Sequence, residues 1–196
     1  MNAVDTVVAA QRAFVRDRDW EQFHTPKNLA MALGGELGEL AEAVGCLLDP
    51  LQPRVGGSTS HIAEELGDVT LYLLRLHDVT GIEPTLSSPT PAQPEHRIDL
   101  TGVICAICKL AASVGRVLEH FQWESEDSST LKEPGRAGLN RRLNTVTADL
   151  SRLSDLLGID PIDAAAAKIS HNAQKYPVAT SLGSARKYTT FEGEHS

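Results

Sequence analysis

Several things are scarce in this chain of 196 residues. Basic residues are one: 18 Lys and Arg stand against 26 Asp and Glu, a formal net charge of −8. That balance argues against sequence-independent binding of nucleic acid or of an anionic membrane, both of which need a basic face. No apolar run approaches the roughly 20 residues that span a bilayer, and the start, MNAVDTVVAAQRAF, lacks the basic opening and apolar centre of a signal peptide. The expectation is a cytoplasmic globular protein with neither nucleic acid nor membrane as partner. Three cysteines, an odd number, exclude a disulfide framework and fit free thiols in a reducing compartment. Cys105 and Cys108 have the spacing of a metal or redox couplet but no second couplet, so they read as core residues of the apolar segment GVICAICKLAASVG. Aromatic residues make up only 5 %, so each tryptophan reads first as a packing residue. Alternating strand patterns are missing as well.

What is present is helical periodicity almost throughout. It predicts helices near 3–18, 26–48, 60–80, 98–122, 137–157 and 161–174, with Thr25 and Pro26 placed to cap and begin the second. Turn-rich breaks fall at 49–60, at 83–95, where four prolines mark an extended connector, and at 125–138. After Pro177 the pattern is no longer helical, although Tyr188 and Phe191 suggest a tail that lies on something.

The chain also repeats itself. HDVTGIEP at 77–84 is echoed by SDLLGIDP at 154–161, which sets Gly81 and Gly158 apart by 77 residues. At that offset Leu66, Val69, Thr70, Leu73, Arg75, Leu76, Asp78, Gly81, Ile82 and Pro84 all meet identical residues, and Leu33, Gly38 and Glu42 meet Leu110, Gly115 and Glu119. The expected organisation is one domain over 1–196, with helical-hairpin repeats at 20–84 and 97–161, a Pro-rich connector at 84–96 and a C-terminal helix and tail at 161–196. The expected fold is all-α: a four-helix bundle of two tandem hairpins, with flanking helices and an irregular C-terminal tail.

Two acidic couplets carry the chemistry: Glu36 and Glu39 in GELGELAEAV, and Glu65 and Asp68 in AEELGDVTLYLLRL. Residues three apart on a helix are neighbours, so two such helices packed together aim four carboxylates at one point. Carboxylates that close repel unless a hard cation lies between them, and an all-oxygen set suits Mg²⁺ or Mn²⁺ rather than zinc. Either couplet alone reads as a solvated helix face; here the acids border apolar stripes. The second copy has Ser113, Arg116, Arg142 and Thr145 at the matching positions, so it cannot hold the same metal and reads as scaffold.

RDRDWEQFHTPKN at 16–28, the two couplets, Phe121-Gln122-Trp123 and Asn172-Ala-Gln-Lys175-Tyr176-Pro177 together resemble the MazG-like all-α nucleoside triphosphate pyrophosphatases, nearest the dCTP pyrophosphatase type. In that family a chain has one copy of each motif, and sites form when identical chains pair. Here WEQFHTPKN and the acids sit in the first copy, whereas FQW and NAQKYP follow in the second, so the chain resembles a fused dimer that builds one composite site. Two such chains are expected to pair as a homodimer, a pseudo-tetramer of repeats.

The resemblance implies a Mg²⁺-dependent enzyme, with Mn²⁺ able to substitute, that cleaves a nucleoside triphosphate to monophosphate and pyrophosphate. dCTP or modified pyrimidine deoxynucleotides are the expected substrates. Glu36, Glu39, Glu65 and Asp68 would hold the metal, and Glu39 leads as general base although any of the four acids can take that part. Lys27, Lys175, Arg186 and Lys187 are candidate phosphate contacts. Trp20, His24, Trp123 and Tyr176 are candidates for base or sugar, with Asn28 or Asn172 as hydrogen-bonding partners; Tyr72 lies one turn beyond Asp68 on the same face. Two alternatives stay open: a nucleotide-binding or assembly protein that kept the fold and lost turnover, and a phosphoribosyl-ATP pyrophosphatase.

Overall fold

The computed structural model describes residues 2–48, 59–86, 99–123 and 135–184. Among these, every regular element is helical: α1 (Ala3–Asp17), a 3-10 turn (Glu21–Phe23), α2 (Pro26–Leu48), α3 (Thr59–Thr80), α4 (Leu100–Phe121), α5 (Gly135–Leu157), α6 (Pro161–Lys175) and the short α7 (Val178–Ser181). The fold is all-α, as the periodicity predicts.

Local sequence accounts for the helix ends. Asn2 and Asp5 form a reciprocal capping box at the start of α1. Thr25 Oγ1 accepts from the Asn28 amide at 3.2 Å, with Pro26 first in α2, where its missing N–H costs nothing. Asp160 accepts from the amides of Ile162 and Asp163 in front of Pro161. At the far ends of α3 and α5, Gly81 and Gly158 adopt φ of 61° and 67°, a conformation with little cost only for glycine. The same two backbone bonds close both turns: Gly81 to Asp78 and Ile82 to His77, Gly158 to Asp155 and Ile159 to Ser154.

Helix α2 packs on α3, α4 on α5, and α2 on α4; α6 lies along α3 and also meets α1. The buried rows follow helical spacing: Leu29, Leu33, Leu40 and Val44 on α2, Ile62, Leu66, Val69 and Leu73 on α3, Val103, Ala106, Leu110, Val114 and Val117 on α4, and Leu139, Leu143, Val146, Leu150 and Leu153 on α5, all within one core. At about 0.8 kcal/mol per buried CH₂, these leucines and valines are the main driving force for the packing.

Three sequence expectations change. Cys105 and Cys108 are exposed: the buried row of α4 runs through Val103, Ala106 and Leu110, and the cysteines fall out of phase with it. Helix α4 is also long and apolar enough by length and composition to cross a membrane; Lys109 and Arg116 break its apolar run and hide this from a search for uninterrupted stretches. In the fold it packs against α2 and α5. Finally, the segment after Pro177 begins with α7. Arg186, Lys187, Tyr188, Phe191 and the connector from 87 onward lie outside the described residues.

Candidate functional site

A cleft of about 670 Å³ opens between α1, the 3-10 turn, α2, α3 and α6, with Glu36, Glu39, Glu65, Asp68 and Tyr72 among the residues that line it. Its acidic floor follows from register. Glu36 sits between the buried Leu33, Leu37 and Leu40 of α2, and Glu65 and Asp68 between Ile62, Leu66 and Val69 of α3, so burial of the apolar rows turns the acids toward one another. One oxygen from each of Glu36, Glu65 and Asp68 lies within 4.8 Å of the other two. Glu39 lines the same cleft but stands outside that trio, exposed at its edge.

The electrostatics are those of an undercompensated acidic cluster. Burial, then Asp68, Glu39 and Glu65, push the Glu36 carboxyl up to about 7, against a smaller pull from Lys168. Burial likewise raises Glu65 and Asp68. Glu65 Oε2 is buried without a hydrogen-bond partner, while its other oxygen stands 3.6 Å from His61 Nδ1. An orphaned carboxylate oxygen beside two further carboxylates, all of them hard donors, fits a divalent cation of the Mg²⁺ or Mn²⁺ kind.

Sequence reasoning missed Lys168. Its Nζ lies 2.5 Å from Asp68 Oδ2, on a side chain only 6 % exposed. Burial disfavours its charge, but the bond to Asp68 and the charges of Asp68, Glu65 and Glu64 outweigh that and hold the ammonium above its ordinary range. Lys168 reaches the acids because α3 and α6 meet at Gly67: a Cβ there would lie 2.7 Å from the Ala164 carbonyl oxygen. The available signal was Gly67 itself, a glycine inside a helix next to an acid of the second couplet. Asn172, one turn beyond Lys168, also favours the charged form of Asp68, after burial and the larger effect of Lys168.

The far wall is aromatic and held from behind. Trp20 stands edge-on to Phe14 and Tyr176, with ring centroids 5.7 and 5.3 Å away, and its indole N–H donates to the Ser181 carbonyl at 2.9 Å. Arg18 lies 3.7 Å over the Phe14 ring and donates to the Tyr176 carbonyl at 2.7 Å. Tyr72 is deep in the cleft; burial, with Glu36 and Asp68 nearby, raises its phenol above the ordinary value. His24 and Asn28 also line the cleft, and the Asn28 side chain donates to the Phe23 carbonyl at 3.1 Å.

Trp20, His24, Asn28, Tyr72, Asn172, Lys175 and Tyr176 thus meet around the acids. Lys27, on the first turn of α2, and Trp123, 88 % exposed just past α4, do not line the cleft. At the positions 77 residues further on, Ser113 and Thr145 bond carbonyls of their own helices, and Arg142 donates to the Arg116 carbonyl at 2.8 Å and stands 3.8 Å from Glu119.

Neither a family model nor a solved structure matches the chain. Among curated proteins, dCTP pyrophosphatase 1 of Homo sapiens is 48 % identical over 66 residues, which is 32 % of this chain and 39 % of that protein. The Rattus norvegicus protein of the same name is 45 % identical over 69 residues and the Mus musculus protein 46 % over 66, with the same shares covered. The chain therefore spans about 39 % of the length of the curated relatives it matches. This likeness, limited to a third of the chain, is consistent with the dCTP pyrophosphatase branch of the MazG-like family.

Proposed function

We propose that the chain is a divalent-cation-dependent nucleoside triphosphate pyrophosphohydrolase that converts dCTP or a related pyrimidine deoxynucleotide to the monophosphate and pyrophosphate. The observation that carries this reading is the convergence of Glu36, Glu65 and Asp68 within 4.8 Å beneath a cleft walled by Trp20 and Tyr176. The similarity to proteins named dCTP pyrophosphatase 1 supports the substrate class.

Glu36, Glu65 and Asp68, with Glu39 beside them, would hold the cation. When bound there, a divalent ion supplies neutralisation of the triphosphate and a lowered pKa for a coordinated water. Lys168 and Lys175 add positive charge along the same wall, which an acidic protein needs beside phosphates. The trio holds carboxylates whose charge burial disfavours, so occupancy by cations relieves a strain already present in the fold. Water would attack the α-phosphorus, the bond to the bridging oxygen would break, and Glu39 at the cleft edge would accept the water's proton. Trp20 and Tyr176 offer edges and faces for the base, with Tyr72, Asn28 and Asn172 supplying hydrogen bonds.

The two hairpins read as a fused pair in which the second copy is scaffold, and a second copy of the chain is the proposed partner, with the exposed apolar side of α4, Leu100 and Ile104 included, as the surface available for it.

The test is release of pyrophosphate and monophosphate from a panel of canonical and modified nucleoside triphosphates with Mg²⁺, with Mn²⁺ and with chelator. Metal-dependent release from a pyrimidine deoxynucleotide is the expected result. Binding of triphosphate with no release from any member of the panel would replace this reading with that of a nucleotide-binding protein.

A further inference from the structure

His24 is held by a chain of charged groups that the hydrolytic chemistry does not use. Arg75, on α3 and buried, donates from Nε to His24 Nδ1 at 3.2 Å. Its Nη1 bonds Asp78 Oδ2 at 2.5 Å, and the other oxygen of Asp78 is bound by Arg12 of α1. Arginine has donors only and keeps its charge at any pH a protein tolerates. His24 Nδ1 must therefore be the acceptor, which puts the neutral imidazole's proton on Nε2. Burial, with the charge of Arg75, pushes His24 down to about 4, so the imidazole is uncharged at neutral pH. Among the described residues, none bonds its Nε2. The arrangement belongs to this site and not to the repeat in general: Arg152, which matches Arg75 at the offset of 77 residues, is exposed.

We propose that Arg75 is a positioning residue that fixes His24 as a hydrogen-bond donor to the cleft, so that the site selects nucleotides presenting an uncharged acceptor, a carbonyl oxygen or an unprotonated ring nitrogen, at that point. Left free, an imidazole exchanges donor and acceptor between its two nitrogens and protonates near its ordinary pKa of 6.5. It then accepts from a ring N–H as readily as it donates to a lone pair, and discrimination between such bases is lost. A site committed to one polarity of hydrogen bond leaves a buried group unpaired when the wrong base enters. Asp78 and Arg12 extend the anchorage to α1, so Arg75 cannot swing to follow the ligand.

The proposal rests on the nucleotide reading above, and its test has one arm that does not. In ¹⁵N-histidine spectra of the metal-free protein, His24 should appear as the Nε2–H tautomer. Arg75→Leu should convert it to a mixture of tautomers titrating near the ordinary range, and Arg75→Lys, which retains a donor, should restore the single form. A predominant Nδ1–H form in the wild type, or an Arg75→Leu spectrum unchanged from it, overturns the proposal. In the kinetic arm, Arg75→Leu should lower kcat/KM for the best triphosphate about tenfold, the size of one net hydrogen bond, with kcat nearly unchanged and the preference among bases flattened. Arg75→Lys should recover most of this. His24→Phe, which leaves the Arg75–Asp78 pair in place, should give the same tenfold loss and serves if Arg75→Leu does not fold. Full selectivity in His24→Phe overturns the proposal. If the wild type hydrolyses no triphosphate, the enzymatic reading fails by itself, and the spectra still decide whether Arg75 sets the tautomer.

Discussion

Lys168 Nζ and Asp68 Oδ2 stand 2.5 Å apart on adjoining helices, with side chains 6 % and 14 % exposed, so a lysine of α6 serves as a fixed cation beside three clustered carboxylates. Its removal leaves Asp68, Glu36 and Glu65 facing one another with less compensation. Lys168→Met is expected to destabilise the metal-free protein by about 3 kcal/mol, the low end for breaking a buried ion pair, measured by urea unfolding with chelator present. Divalent cation should return part of that loss, because it replaces the missing charge. No cation-dependent recovery would mean that Lys168 acts only through α3–α6 packing.

Glu36 and Asp68 should show function and stability pulling in opposite directions. Glu36→Gln and Asp68→Asn are expected to abolish pyrophosphate release, whereas Ser113→Ala and Thr145→Ala, each 77 residues beyond its counterpart, should affect stability at most. Because repulsion around Glu36 is relieved, Glu36→Gln should melt higher than the wild type in chelator. Comparable loss of turnover at both pairs would sink the single-site reading.

The pH dependence has a definite sign. Burial and its neighbouring acids raise the Glu36 carboxyl from 4.5 to about 7 in the folded state, so folded protein binds a proton more tightly than unfolded protein does. Stability contributed by this group is therefore present below about 4.5 and is lost as pH rises toward 7. In chelator, the wild type should lose stability relative to Glu36→Gln between pH 4.5 and 7. Parallel stability curves for the two proteins across that window would show that Glu36 does not titrate there.

Gly67 sets how closely α6 approaches the acids. An added Cβ would lie 2.7 Å from the Ala164 carbonyl oxygen and 3.2 Å from Lys168 Cβ, and the first of these is backbone that cannot rotate away. Gly67→Ala should therefore displace α6 and lengthen the Lys168–Asp68 contact, costing about 1–3 kcal/mol as overpacking does. It should also raise KM for the triphosphate. A variant with unchanged melting temperature and kinetics would show that the helices yield locally.

The sequence read well wherever one periodicity decided the outcome. All six main helices follow from apolar spacing, with Thr25 and Pro26 marking the start of the second, and the GIEP and GIDP turns mark where α3 and α5 end. Glu36, Glu65 and Asp68 come together because both couplets sit at the border of apolar rows, whereas Glu39, expected as the fourth, stays outside the trio. Three things were not legible, and for different reasons. Lys168 lies about 100 residues from Asp68 in sequence, and the close approach that joins them depends on Gly67 meeting the Ala164 backbone. The Arg75–His24 bond runs between a helix and a 3-10 turn that no periodic pattern announces. Cys105 and Cys108 misled because α4 is apolar on more than the face it buries, and composition alone does not give the phase.

Trp123 provides the sharpest test of how many chains build the site. It is 88 % exposed at the end of α4 and does not line the cleft of its own chain, although its motif resembles one associated with substrate contact. If a single chain contains the whole site, Trp123→Ala should leave kcat and KM unchanged, with stability altered by less than about 0.5 kcal/mol, as is usual for an exposed side chain with no buried contacts. If a second copy lays its Trp123 against this cleft, the same substitution should raise KM severalfold. It should also lower the mass seen in light scattering at micromolar concentration, since the ring would be lost from the interface. Kinetics and mass should then move together. A raised KM at constant mass would assign Trp123 to substrate contact within one chain after movement of the α4 end, and unchanged values in both would confine the site to the cleft between α1, α2, α3 and α6.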